Sequence, residues 1–197
     1  MADAVSSRSE GAWGSIIGLS DSDDEVLCAG ISSDKAQVLI ATSGSEQVSP
    51  RALRFEVNGI NPQATPSARG VAAIKMLDDR LVGGVIIEPS RAKGFAVLVS
   101  DHGYIKKISL DEFPVQGRGG QGVQTWKVNA STGFVAAFTV SDAKGLLDLY
   151  SENSKRLRVD LESIPQTTRA AKGIDLAAKL GEQSLFNGEV IEGIVSI

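Results

Sequence analysis

The chain has 197 residues and a formal net charge of −4, with 42% apolar and 22% charged residues. This length and composition predict a globular protein with a sizeable core and exclude an intrinsically disordered chain. The single cysteine, Cys28, excludes an internal disulfide, and one cysteine with one histidine is too few for a Cys/His zinc site. We therefore expect no metal and no other cofactor.

Acidic residues are concentrated near the start of the chain. Residues 1–36 hold seven acidic residues against two basic ones, so the rest is nearly neutral and any basic surface must be a local patch. Residues 1–12 predict a disordered tail, followed by one repeat domain over residues 13–197. The tail lacks the apolar segment of a signal peptide, and no apolar run reaches transmembrane length, so we expect a cytoplasmic protein without membrane contact.

Four glycines begin four similar units of sequence. Gly14, Gly70, Gly122 and Gly173 are separated by 56, 52 and 51 residues. Each glycine opens a pattern of strand, polar turn and strand, which predicts a hairpin. The four predicted hairpins cover residues 14–31, 70–87, 122–139 and 173–197. Near-constant spacing of this kind indicates a repeat architecture.

A second hairpin pattern follows each of the first three units. These patterns cover residues 38–57, 95–110 and 146–161. About four short strands in every 51–56 residues predict an all-β, propeller-like disc of about four blades, a period that kelch repeats share. The run Ile174–Leu180 has helical propensity, but its place in the repeat predicts a strand.

A glycine-rich loop lies between the second and third units. Its residues Gly117–Gly122 formally match G-x-G-x-x-G, the dinucleotide-binding fingerprint. That fingerprint requires a helix to begin at the glycines, because the pyrophosphate binds at a helix N-terminus. The residues that follow, Val123–Val128, favour a strand, so the loop does not predict a nucleotide site.

The loop and the strand before it resemble a known family. Ser100–Phe113 and Gln116–Gly122 are similar to a blade of the C-terminal domain of the DNA gyrase A protein, which carries a Gln-Arg-Arg-Gly-Gly-Lys-Gly box. The box departs here at Gly117 and Gln121, where the family has Arg and Lys. It is matched at Gln116, Arg118, Gly119, Gly120 and Gly122. Residues 68–77 and 171–174 are similar to the starts of further blades.

The resemblance implies a β-pinwheel, a disc of four-stranded blades that exchange strands and bend duplex DNA around a basic rim. It implies duplex DNA of any sequence as partner, the catalytic part of a type IIA topoisomerase as a second partner, and a nucleoid location. The related topoisomerase IV protein has a degenerate box, and the altered box here is closer to that state. The disc is expected to be smaller than in the family, or closed by the N-terminal hairpin 14–31 against the C-terminal one.

The expected DNA contacts are basic side chains on loops and edge strands, together with the box backbone. Arg118 is the leading candidate, against a role in pinning its loop to a neighbouring blade. Lys106 and Lys107 are adjacent in a strand, so either one of them faces phosphate or they protect a solvated edge. The run 155–158 is either a DNA contact or a solvated face. The full set is Arg51, Arg54, Arg69, Lys106, Lys107, Gln116, Arg118, Gly119, Gly120, Gln121, Gly122, Lys155, Arg156, Arg158, Arg169 and Lys172.

No catalytic arrangement is visible in the sequence. Cleavage by a type IIA topoisomerase needs a tyrosine beside an arginine, whereas Tyr104 and Tyr150 follow Gly and Leu. We expect a noncatalytic DNA-binding and DNA-bending domain, either the C-terminal domain of a gyrase A-type protein of the type IIA topoisomerases or a free-standing relative. A repeat disc that binds another protein is the alternative, favoured by the pI of 5.1 and the weakened box.

Overall fold

The computed structural model describes residues 17–19, 21–63, 70–182 and 185–196. Within these ranges, twelve strands make up most of the regular structure, and one helix, α1 (Leu176–Leu180), is present. The strands are β1 (Gln37–Thr42), β2 (Arg51–Glu56), β3 (Leu81–Ile87), β4 (Phe95–Ser100), β5 (Tyr104–Ser109), β6 (Val123–Gln124), β7 (Val135–Ser141), β8 (Leu146–Ser151), β9 (Arg156–Asp160), β10 (Gln166–Thr167), β11 (Ile174–Asp175) and β12 (Ile191–Ser196). The predicted all-β fold class is confirmed.

Three antiparallel hairpins form the centres of three blades. β1 pairs with β2 in blade 1, β4 with β5 in blade 2, and β8 with β9 in blade 3. Each hairpin leads into a short 3-10 turn, at Val57–Gly59, Leu110–Glu112 and Leu161–Ser163. The central strands β2 and β4 are buried on both faces, because each blade is packed between other parts of the chain.

Each hairpin takes its remaining strands from later parts of the chain. β3 pairs with β1, β7 with β4 and β12 with β8. These three also contact one another in order, β3 with β7 and β7 with β12, so we call them the inner strands. On the outer edges, β6 pairs with β2, whereas β10 and β11 pair with β5. This is the strand exchange that the resemblance implied, and the described residues form three such sheets against the four or so expected. The predicted hairpins 70–87, 122–139 and 173–197 are therefore wrong, because β3, β7 and β12 pair with earlier hairpins and not with residues of their own unit.

The predicted N-terminal hairpin is wrong over its described part. Residues 14–16 are not among the described residues, and residues 17–19 and 21–31 contain no strand. Residues 25–31 are exposed and run beside β3, where a Cβ on Gly30 would lie 3.0 Å from Ile86 Cδ1. This run occupies the place of a further inner strand. It pairs with none of the described hairpins and therefore belongs to no sheet.

The strand predicted over Ile174–Leu180 is also wrong beyond its first two residues. β11 ends at Asp175, whose carboxylate accepts the Ala178 amide at 3.1 Å and caps α1. Gly181, with φ 75°, ends the helix in the left-handed conformation. The intervening Leu-Ala-Ala-Lys-Leu has high helix propensity, and two good caps let that propensity override the period of the repeat.

Two apolar cores lie between the blades. One contains Leu39 and Leu98 and joins blades 1 and 2, and the other contains Val97 and Leu147 and joins blades 2 and 3. Neighbouring residues of β4 enter different cores because side chains alternate along a strand. A third cluster, which includes Ile40, covers the other side of blade 1. None of the helices in the described ranges is long and apolar enough to cross a membrane.

Candidate nucleic-acid interface

Two equivalent loops lie on the outer edges of blades 1 and 2. We call residues 116–122 box loop 1 and residues 167–173 box loop 2. They end at Gly122 (φ 75°) and Gly173 (φ 93°), both in the left-handed conformation. A Cβ on Gly122 would collide with a backbone carbonyl of β2, and one on Gly173 would lie 2.9 Å from Lys106 Cγ of β5. Glycine therefore allows each loop to lie directly on a blade edge.

Each box loop holds an arginine four residues before its last glycine. Arg118 Nη1 donates to the Ala72 carbonyl at 2.6 Å, and Arg169 Nη1 donates to the Gln124 carbonyl at 3.0 Å. The two acceptors are themselves equivalent, two residues after the preceding repeated glycine. The pinning role considered for Arg118 is therefore present, and both bonds lie at the surface. Arg118 is exposed, whereas the Arg169 side chain is 34% exposed and its Nε lies 3.8 Å from the Glu112 carboxylate. Arg69, the third arginine of this series, lies outside the described residues.

The backbone of box loop 1 is held by the fold. The N–H groups of Gln116 and Gly119 donate to carbonyls at 2.8 and 2.7 Å, and the carbonyls of Gly120 and Gln121 accept bonds at 2.8 and 3.0 Å. These four residues fix the shape of the loop. Its one exposed positive charge belongs to Arg118.

Lys106 is fully buried and does not reach the surface. Its Nζ donates to the Thr125 carbonyl at 2.7 Å and to the Arg169 carbonyl at 2.5 Å. The ammonium also lies 5.1 Å from the centroid of the Trp126 ring. Burial lowers the pKa of Lys106 from 10.5 to about 8. This lysine fastens box loop 2 to β5, a role that neither sequence interpretation contained.

Lys107 and Arg54 occupy equivalent positions, three residues before the 3-10 turns of their blades. Lys107 Nζ donates to the Leu161 carbonyl at 2.6 Å, and Arg54 Nη1 donates to the Leu110 carbonyl at 2.8 Å. Each cation thus binds the first carbonyl of the 3-10 turn in the next blade. Burial lowers the pKa of both groups. Both side chains are buried and fasten one blade to the next instead of facing solvent.

Arg51 forms a buried ion pair. Its Nη2 donates to both carboxylate oxygens of Asp79 at 3.0 and 2.9 Å, and its Nη1 donates to the Lys75 and Gln121 carbonyls. Burial opposes ionisation of Asp79, but hydrogen bonds from Thr42, Arg51 and the Leu77 amide hold its pKa below the ordinary value. Arg51 therefore joins blade 1 to box loop 1.

The basic run 155–158 lies on the outer side of blade 3. Lys155 pairs with Glu189, and Arg158 donates to both carboxylate oxygens of Asp148 at 2.8 and 2.9 Å. Arg156 lies 3.7 Å from the same carboxylate. Hydrogen bonds from Arg158 hold the pKa of Asp148 below its usual range. The three basic side chains are about half exposed, and each already faces a carboxylate.

Two exposed lysines escaped the sequence reasoning. Lys75 and Lys127 each lie five residues after a repeated glycine, Gly70 or Gly122. Lys127 lines a surface groove together with Arg169. Their constant distance from the repeated glycines was the signal that could have found them.

The accessible cations on and beside the box loops therefore form one small set. Lys172 belongs to it, since it is exposed and its ammonium lies 5.0 Å from the Tyr104 ring centroid. The set is Lys75, Arg118, Lys127, Arg169 and Lys172. Among the described residues, no group of His, Cys, Asp and Glu could hold a metal ion.

Strand-exchanged blades joined by box loops define a β-pinwheel type of repeat protein. The family model described as DNA gyrase C-terminal domain, beta-propeller, matches residues 95–141 and 153–182. The chain is 26% identical to the DNA gyrase A protein of Staphylococcus epidermidis over 160 residues, and 26% identical to that of Staphylococcus aureus over 165 residues. These alignments cover 81% and 84% of the chain. The chain is therefore similar to the DNA gyrase A C-terminal domain, the family that its sequence resembles.

Two solved structures share the fold. The C-terminal domain of DNA topoisomerase IV matches 92% of the chain with a TM-score of 0.79 and 19% identity. The DNA gyrase A C-terminal domain matches 85% of it with a TM-score of 0.68 and 18% identity. The chain spans 52% of each solved chain, and 17% and 18% of the two Staphylococcus proteins. The family match is to the C-terminal domain, a non-catalytic accessory part of type IIA topoisomerases.

Proposed function

We propose that this chain binds duplex DNA through its phosphates, using the accessible cations of its box loops, and bends the duplex only slightly. The observation that carries the proposal is an accessible arginine at the same place in two successive box loops, Arg118 and Arg169. A guanidinium offers a planar fork of donors that suits phosphate. Repetition along a row of blades lets both arginines contact phosphates of one duplex.

The basic rim that results contains fewer accessible cations than the sequence suggested. Four of the expected cations are buried and bonded within the protein: Arg51, Arg54, Lys106 and Lys107. The run 155–158 is left out of the rim because it lies outside the box loops and all three of its cations face carboxylates. Arg169 also lies 3.8 Å from a carboxylate, that of Glu112, but it is part of box loop 2 and its Nη1 bonds at the surface. Smooth bending of a short duplex costs on the order of 1–6 kcal/mol, which a few phosphate contacts offset only in part. Partial bending without a stable wrap follows.

Phosphate contacts carry no sequence information, so the partner is duplex DNA of any sequence. Homology to the gyrase A C-terminal domain supports the catalytic part of a type IIA topoisomerase as a second partner. In this proposal residues 13–197 act as one domain, and the protein works at the nucleoid in the cytoplasm. The protein-binding alternative receives no support from the family match.

Binding is tested by fluorescence anisotropy on short duplexes of two unrelated sequences at several salt concentrations. Five accessible cations give an expected slope of log K against log salt of roughly −4 to −5. Arg118→Ala and Arg169→Ala should each reduce the magnitude of that slope by about 1 and weaken binding equally for both sequences. Lys144→Ala is the matched control, because Lys144 is an exposed lysine paired with Glu162 at 3.3 Å and lies outside the box loops. An affinity that does not depend on the salt concentration, or an equal loss of affinity in the Lys144→Ala control, contradicts the proposal.

The degree of bending is tested by relaxing a circular plasmid with a topoisomerase while this protein is bound. A partial bend traps few supercoils, and Arg118→Ala should trap fewer still. Strong, dose-dependent trapping by the unchanged protein would show a stable chiral wrap and would overturn this part of the proposal.

A further inference from the structure

Both blade junctions in the chain are built in the same way. We call the part that the leading blade contributes the cation side. It consists of a buried cation near the end of the hairpin and of the outer edge of the second hairpin strand. The following blade contributes what we call the turn side, a 3-10 turn whose first residue is buried and whose first carbonyl binds that cation. Arg54 with Leu110 forms the first junction, and Lys107 with Leu161 forms the second.

Blade 3 carries a cation side without a partner in the described residues. Arg158 stands where Arg54 and Lys107 stand, three residues before the 3-10 turn of its blade. It reaches no further turn, bonds to Asp148 of its own hairpin instead, and is half exposed. Within the described ranges β9 pairs with β8 alone, whereas β2 and β5 each receive an outer-edge strand.

Blade 1 carries the complementary turn side, which also has no partner in the part of the chain that the structure describes. Its 3-10 turn Val57–Gly59 buries no residue, whereas Leu110 and Leu161, the equivalents of Val57, are fully buried. The Val57 carbonyl accepts the Ile60 amide at 2.9 Å, but no cation of the described residues reaches it.

The segment that starts at Gly70 likewise lies against no blade edge among the described residues. Gly70 has φ 74°, as its equivalents Gly122 and Gly173 have 75° and 93°. A Cβ on either equivalent would press on a blade edge, but a Cβ on Gly70 would meet nothing within 4 Å. The neighbouring Val71 is 39% exposed. This segment is shaped to lie on an outer edge that the described residues do not supply.

We propose that two copies of this chain associate head to tail, the blade 3 end of each docking on the blade 1 end of the other. Arg158 of one copy then meets the Val57 carbonyl of the second, and the segment at Gly70 of the second copy pairs with β9 of the first. Two equivalent contacts of this kind close a ring.

The distribution of charged residues supports a second copy of the chain as the partner that docks on these two ends. The outer side of blade 3 exposes Arg156 and Arg158, whereas their equivalents in blades 1 and 2 are buried. At the other end, four exposed carboxylates directly precede or begin the run 25–31: Asp21, Asp23, Asp24 and Glu25. Opposite charges at the two ends favour head-to-tail over head-to-head approach, and the association should weaken with salt.

Docking has one structural requirement. The inner strand β12 of one copy must take the place beside β3 of the other, where the run 25–31 now lies. That run is exposed along its whole length and belongs to no sheet, so little is lost when it moves. Hydrogen exchange should therefore slow at β9 and at residues 70–77 on association, but not at residues 25–31.

Sedimentation over a wide concentration range tests the proposal with the full chain. The expected species are a monomer of 20.6 kDa and a dimer of twice that mass. Val57→Asp should raise the dimer dissociation constant at least tenfold, because it places a charge on the open turn side. Leu180→Asp, which adds the same charge at a residue that is 47% exposed on α1, should leave dimerisation unchanged.

A mixing experiment separates head-to-tail contact from other dimers. Val57→Asp damages only the turn side, and Arg156→Glu damages only the cation side. Equimolar mixture of the two variants keeps one intact contact in each mixed pair, so dimers should partly return. A chain that stays monomeric at all concentrations, a dimer that Val57→Asp leaves intact, or variants that fail to rescue each other would overturn the proposal, and open-ended polymers would overturn the closed ring.

Discussion

The basic residues of this protein fall into two groups that the sequence does not distinguish. Lys106 and Lys107 on β5 are buried and bind backbone carbonyls of neighbouring parts of the chain. Arg118 and Arg169 in the box loops also bind a carbonyl, but at the surface. The comparison shows that a cation in a strand between two blades serves the junction, whereas a cation on a loop that crosses the edge stays available to a ligand.

The largest expected effect comes from removing a buried cation. Arg51→Ala leaves the Asp79 carboxylate buried without its partner, which costs roughly 3–5 kcal/mol. Urea unfolding of this variant beside Arg118→Ala measures the contrast, and Arg118→Ala should change stability by less than about 1 kcal/mol. Because the pKa of Asp79 is lowered, the pair's contribution is present at neutral pH and is lost as the pH falls through that lowered pKa. Equal losses in the two variants would remove the distinction between the groups.

A second prediction compares two glycines of box loop 1. Gly122→Ala introduces a Cβ that collides with a β2 carbonyl at a positive φ, and the loss of stability should be about 3 kcal/mol. Gly119 also has a positive φ, of 81°, but a Cβ there meets nothing within 4 Å. Gly119→Ala should therefore cost only the backbone strain, about 1–2 kcal/mol. Thermal unfolding of both variants measures the difference, and an equal loss would mean that box loop 1 does not press on β2.

The smallest of the three effects is a pH dependence from Lys106. Its pKa is about 8 in the folded protein against the ordinary 10.5, so the unfolded chain holds the proton more tightly between these values. Stability therefore rises with pH across this window, by roughly 2 kcal/mol between pH 8 and 10. Lys106→Met should lack this rise when the two proteins are unfolded in urea at several pH values. If the stability of the variant and of the unchanged protein depended on pH in the same way, the Lys106 ammonium would have to lie in solvent.

The repeat was visible in the sequence, but the fate of each cation was not. The near-constant spacing of Gly14, Gly70, Gly122 and Gly173 predicted the repeat, and the three of these glycines that the structure describes all have a positive φ. The partners of Lys107 and Lys106 lie 54 and 63 residues away, in carbonyls of later repeats. A carbonyl leaves no mark on residue type, so the sequence could not show that these lysines are enclosed.

Other features were within reach of the same reasoning. The caps of α1, Asp175 and Gly181, stand at helix-capping distance in the sequence and predict this helix, whereas the period of the repeat predicts a strand. Lys75 and Lys127 share one offset from their glycines, so a comparison of the repeats at that offset predicts both lysines.

Lysine footprinting with and without DNA tests the central claim most directly. The free protein and its complex with duplex DNA are acetylated briefly, and modification at each lysine is measured by mass spectrometry. We predict that DNA protects Lys127 and Lys172, that exposed Lys144 reacts equally in both states, and that buried Lys106 and Lys107 react in neither. Protection of Lys144 with no protection at Lys127 and Lys172 would place the DNA away from the box loops and contradict the account.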